Sequence, residues 1–273
     1  MGILDTIKRG FAASGKDNIS ILAAGVAYYV FLAIMPLLAA AVLGYGLLAE
    51  PEAVARHIAA MAQSLPASAA ELIAEQLQAV VQTSGSAKGV GLLLSLAVAL
   101  FGARNASAAI VTAVSMAFND TERRSMLRSN IVALAVTLAG LAGVGMVALA
   151  MTVTAALADL VPGISGAEQL LAQIASYAIL ATGGTIGAAL LYRRAPPSQE
   201  PQWAAVFPGA MFAGMGIVLL TALFGWYVAN FSDYNATYGS LGAVIVLLTW
   251  LFLSAYVLLL GAEFAAARAQ ENP

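Results

Sequence analysis

No cysteine occurs among the 273 residues, which excludes disulfides, iron–sulfur clusters and cysteine-ligated zinc and leaves the redox compartment unread. Histidine is nearly as scarce. His57 is alone, without a companion at metal-ligand spacing, and a Ser–His–Asp arrangement would have to depend on it. No nucleophile elbow and no phosphate-cradling glycine loop accompany it. The sequence therefore assigns no catalytic residue, no metal site and no cofactor. Charge is also thin: charged residues make up 10% of the chain and the formal net charge is -2, which argues against a general nucleic-acid binder.

Apolar sequence fills the space that charge leaves. Hydrophobic residues account for 61% of the chain, with a mean hydropathy of +0.88. They fall into six spans: Ile21–Leu48, Val90–Phe118, Asn130–Ala158, Leu170–Tyr192, Trp203–Val228 and Ser240–Ala267. Each exceeds the ~20 residues with which a helix crosses ~30 Å of hydrocarbon. Only Arg104, in the second span, and Glu263, near the end of the sixth, bring charge into them. The expected fold is an all-α polytopic membrane protein with six transmembrane helices in a single domain, 1–273. The first span is too long for a signal peptide and is read as retained.

Basic residues orient the spans. The N-terminus, 119–129, 193–202 and the C-terminus share one face and hold Lys8, Arg9, Lys16, Arg123, Arg124, Arg128, Arg193, Arg194 and Arg268. The opposite face holds only Arg56 and Lys88. The positive-inside rule places both termini in the cytoplasm. Segment 1–20, with Ile3, Leu4, Ile7 and Phe11 at helical spacing among charges, reads as an interfacial helix, and 268–273 as a cytoplasmic tail. The outside segment 49–89 reads as two short amphipathic helices split by Pro66.

The small residues of the spans suit close helix contact: Gly183 with Gly187, Gly209 with Ala213, and Gly140, Gly143 and Gly145. Pro36 is expected to kink the first span and free the carbonyl of Leu32. On the sixth span Gly242, Thr249, Tyr256 and Glu263 recur every seven residues, so they form one stripe expected to face the bundle interior, with Leu247, Leu251 and Leu258 opposite. On the second, Arg104, Ser107 and Ser115 share an arc next to that of Asn105 and Thr112. Arg104 against lipid would cost ~2.5–3.5 kcal/mol, so it is expected to face protein or a wet cavity. Glu263 is expected to be a hydrated acid at the cytoplasmic interface.

Several of these segments resemble the YihY/BrkB family of bacterial inner-membrane proteins. The opening Ala23-Ala24-Gly25-Val26-Ala27-Tyr28-Tyr29 with Pro36-Leu37-Leu38 is similar to that family's first helix. So are Leu191-Tyr192-Arg193, Trp203 and Pro208-Gly209-Ala210 to its fourth-to-fifth-helix segment. Tyr238-Gly239-Ser240-Leu241-Gly242, Trp250-Leu251 and Gly261-Ala262-Glu263 resemble its last helix. Arg104-Asn105 departs from the Trp-Ser pair common in the second helix, so the resemblance assigns Arg104 no role. It implies six helices with cytoplasmic termini in a bacterial inner membrane. Members carry labels as a serum-resistance factor and as a ribonuclease; the second conflicts with this sequence, whose cytoplasmic acids are too scattered to hold catalytic metal ions.

Two readings follow. In one the chain is a transporter or exporter of a small polar or anionic solute or a lipid headgroup, with Arg104, Asn105, Tyr28, Thr249 and Tyr256 along the path. In the other it is a non-transporting structural component of the envelope, its polar residues serving helix packing. The lipid bilayer is the one certain partner, nucleic acid is not one, and the sequence assigns no oligomeric state.

Overall fold

A computed structural model of the chain describes residues 3–48, 85–120, 131, 166–198, 200–230 and 240–270. The described residues are helical with no strand: α1 (Ile3–Lys16), α2 (Ile19–Leu48), α3 (Gly85–Ala117), α4 (Gly166–Arg194), α5 (Trp203–Asn230) and α6 (Ser240–Ala269). Three helical stretches are long and apolar enough to cross a membrane, Gly89–Ala117, Trp203–Tyr227 and Val244–Ala269, and a fourth arises if α1 and α2 are counted together as one bent span. The third apolar span apart from Ile131, the connections 121–130, 159–165 and 231–239, and residues 49–84 lie outside the described residues.

Helix ends shift slightly from the expected ones. α1 stops at Lys16, because Asn18 takes a left-handed φ of 50°, a conformation Asn tolerates better than most residues. The Asn18 carbonyl then accepts from the amides of Ile21 and Leu22 and opens α2, which leaves at 70° from α1. The interfacial helix is thus shorter than 1–20. Arg268 belongs to α6 and not to a tail, and α3 reaches back to Gly85. Pro36 is helical within α2, which continues to Leu48; its side chain lies outside those described.

The chain divides into two compact units, Tyr29–Ala103 and the combination of Met1–Tyr28 with Arg104–Pro273. Within the first, Gly102 lies against the backbone of Ala33: a Cβ there would come 2.9 Å from the Ala33 Cα. Within the second, α5 packs antiparallel to both α4 and α6. Gly209 meets Gly261, Gly216 meets Val257, and the Trp250 indole donates to the Thr221 hydroxyl at 3.2 Å, so the α5–α6 register holds over the length of the pair. On the other flank Gly214 sits on Gly184 and Thr185. Without a hydrophobic drive between helices in lipid, such backbone approach supplies the dispersion contacts. Gly209 and Ala213 take the close-packing role expected of them. Gly187 does not: a Cβ there meets nothing within 4 Å, and Gly184 serves in its place.

The outer side of α5 is uniformly apolar. Trp203, Phe207, Met211, Met215, Leu219, Leu223 and Trp226 are all exposed at three- and four-residue spacing. At ~1.5 Å per residue the two tryptophans stand ~35 Å apart, which suits a span bracketed by aromatic belts.

Candidate functional site

α3 carries a polar face where a membrane helix would be expected to be greasy. From Arg104 onward, Arg104, Thr112 and Met116 are exposed and Asn105, Ala108 and Ser115 half-buried. At ~100° per residue these six lie within an arc of ~120°. Ala106, Ser107, Ala113, Val114 and Ala117 fill the opposite arc and are buried. The helix therefore has one packed side, made of small residues, and one accessible side bearing a guanidinium, an amide and two hydroxyls. Ser107, expected on the arc of Arg104, falls on the packed side instead.

Arg104 is exposed and engaged with a neighbouring group, as is Tyr28 on α2, which is 55% exposed. Asn105 shares the accessible face of α3 with Arg104. Thr249 and Tyr256 lie on α6, and the expected stripe there needs correction. Thr249 is exposed and returns its hydroxyl to the Ile245 carbonyl at 2.8 Å, whereas Leu251, placed on the opposite side, is buried. The cause is where α5 sits: Trp250, Val257, Gly261, Phe264 and Ala265 face it or its contacts, and the buried sector continues through Leu251, Ala255 and Leu259. Tyr256 is half-buried, its ring 6.3 Å from that of Phe252, and Leu258 is half-buried too.

Glu263 departs furthest from expectation. It is 1% exposed, not hydrated. α1 folds over this end of α6: Gly10 lies on the Phe264 ring and Phe11 packs edge-on against it at 5.6 Å. Arg193, considered as a partner for Glu263, instead lies over the Trp203 ring at 4.7 Å and reaches Glu200 at 3.8 Å.

Several polar contacts lay beyond sequence reasoning. The Asp120 carboxylate, buried just past α3, accepts from both the amide and the hydroxyl of Ser198 at 2.8 and 2.7 Å. The Ser115 hydroxyl donates to the Ala195 carbonyl at 2.8 Å. Together they tie the end of α3 to the α4–α5 connection. Tyr192, fully buried, donates its hydroxyl to the Leu258 carbonyl of α6. The only signal for any of these was a polar residue at the end of an apolar span. Among the described residues no group of three His, Asp or Glu side chains could hold a metal ion.

The family model for virulence factor BrkB matches residues 11–273. The chain belongs to the BrkB family. A UPF0761 membrane protein of Pseudoalteromonas translucida is 27% identical over 261 residues, covering 94% of this chain and 83% of its own. The ribonuclease-like protein YfkH of Bacillus subtilis is 30% identical over 208 residues, 75% of this chain and 74% of that one. A UPF0761 membrane protein of Alkalilimnicola ehrlichii is 40% identical, over 85 residues only. No solved structure gives a significant match.

Proposed function

We propose that this BrkB-family membrane protein carries a small polar or anionic solute, or a lipid headgroup, across the bacterial inner membrane, and is not an enzyme. In this reading six helices cross the bilayer with both termini in the cytoplasm, following the distribution of basic residues. The observation that carries it is the accessible polar face of α3. An arginine, an amide and hydroxyls displayed to lipid would be costly, so they line water. Arg104 would attract an anionic group, Asn105 and Thr112 would replace its hydration, and Tyr28, Thr249 and Tyr256 would add polar groups from α2 and α6.

Cysteine scanning tests this directly, because the chain has no thiol of its own. Asn105→Cys, Ala108→Cys and Thr112→Cys should react with a hydrophilic, membrane-impermeant thiol reagent, and Ala106→Cys and Ala113→Cys should not. In proteoliposomes screened against small anions and osmolytes, Arg104→Ala should abolish flux. Arg104→Lys should restore it if charge alone matters, and not if the contact is bidentate. The structural reading has its own support in the bonds joining Asp120 to Ser198 and Ser115 to Ala195. It predicts an unreactive α3 and no flux for any solute.

A further inference from the structure

At its end the polar face of α3 meets the α4–α5 connection. Ser115 stands ~20° around the helix from Arg104 and ~17 Å further along it, so it lies in the middle of that face. Its hydroxyl donates to the Ala195 carbonyl at 2.8 Å. α3 then closes with Asn119 in a left-handed conformation, φ 54°. The Asp120 amide returns to the Ser115 carbonyl at 3.0 Å, and the Asn119 amide to that of Met116 at 2.9 Å. These two bonds around a left-handed residue make a Schellman closure. It fixes Asp120 close to Ser115, and from there the carboxylate accepts from the Ser198 amide and hydroxyl.

The strap that these two residues hold, Ala195-Pro196-Pro197-Ser198, is suited to moving as one piece. Two of its residues are prolines, which have no amide to donate and a fixed φ. The two amides it does have are both committed. That of Ala195 bonds to the Leu191 carbonyl of α4 at 2.7 Å, and that of Ser198 to Asp120. One end is therefore fixed to α4, and the other is held by a carboxylate just past α3. Asp120 is buried and Ser198 exposed, so the bond between them straddles the boundary with water. A tie that served packing alone belongs on the buried side of α3, with Ser107 and Val114. This one lies across the accessible side.

We infer that this strap is a gate across the polar face of α3, and that Asp120 is the positioning residue that holds it shut. This role rests on the transport reading. The structure is then the state closed at the end that carries Ser198. Solute passes that end when Ser198 exchanges Asp120 for water and the strap swings about its anchor on α4. Ser115 and Asp120 thus act in transport through the strap, without touching the solute.

Side-resolved labelling of Thr112→Cys in membrane vesicles tests the gate, with Gln202→Cys, exposed in the same connection, marking the strap side. An impermeant thiol reagent should reach Thr112→Cys from the opposite side, and about tenfold more slowly or less from the strap side. Adding Asp120→Ala should raise the strap-side rate about tenfold, and adding Ser198→Ala, which keeps the amide bond, by less. Equal rates from the two sides without those additions, or a strap-side rate that Asp120→Ala leaves unchanged, overturn the gate. Because removal of a buried carboxylate can compromise folding, a covalent tie gives an independent check. Asp120→Cys with Ser198→Cys, bridged by a short reducible cross-linker, should stop the flux of any solute that proteoliposomes carry, and reductant should restore it. Flux undiminished by the bridge overturns the gate and leaves transport standing. Thr112→Cys silent from both sides overturns the transport reading, and the gate falls with it.

Discussion

α3 and α5 both present an accessible face, and the two faces are chemical opposites. On α5 the exposed row runs from Trp203 through Met215 to Trp226 without a polar group. On α3 the row beginning at Arg104 carries Asn105, Thr112 and Ser115. Exposure measured on a protein alone does not distinguish lipid from water, but composition does. A bilayer accepts the first surface at no cost and penalises the second by several kcal/mol at depth. Their buried faces are alike, both built from small residues that bring helix backbones together, so the difference is confined to the outside. Two environments around one bundle are what a solute path needs.

The largest effect should come from placing charge on the apolar face. Met215→Arg, at the middle of the α5 row, should cost ~2.5–3.5 kcal/mol and sharply reduce the yield of membrane-inserted protein. Thr112→Arg on α3 should insert normally, and equal yields for the two would dissolve the contrast between the faces. Next is the packed side. Gly209→Ala should lower stability by ~1–3 kcal/mol in a thermal unfolding series, since its Cβ would collide with the Gly261 carbonyl. Gly187→Ala, with open space around it, should leave stability unchanged or raise it by up to ~1 kcal/mol. Asp120→Ala should cost about 1–2 kcal/mol, because two accepted hydrogen bonds from Ser198 are lost. The smallest loss should be that of Trp250→Phe. One indole bond to Thr221 is removed, and such bonds in membranes average ~0.6 kcal/mol.

The long apolar runs made the described helices legible, because a span must be both long and continuous to satisfy its backbone in lipid. The end of α1 was less so, since it depends on the left-handed backbone of Asn18, which no hydropathy pattern records. At the site, the arc from Arg104 to Thr112 could be laid out from the sequence, because it follows from helical spacing on one element. Thr249 and Glu263 could not. Their surroundings are decided by neighbours, α5 turning one sector of α6 inward and α1 covering its end, and spacing along α6 holds no information about either. Gly187 fails for the same reason: GxxxG marks a face where helices could meet, but the partner's register chose Gly184.

The meeting of Gly209 with Gly261 has a genetic consequence. The atom that blocks a side chain at 209 is a carbonyl oxygen, which every amino acid carries, and the residue opposite is already the smallest there is. A damaging change at 209 therefore cannot be repaired by trimming its neighbour. In a selection for revertants of Gly209→Val, second-site suppressors should never fall at position 261. They should arise where α6 can be shifted as a whole, at Ala213, Gly216 or Val257, or the original glycine should return.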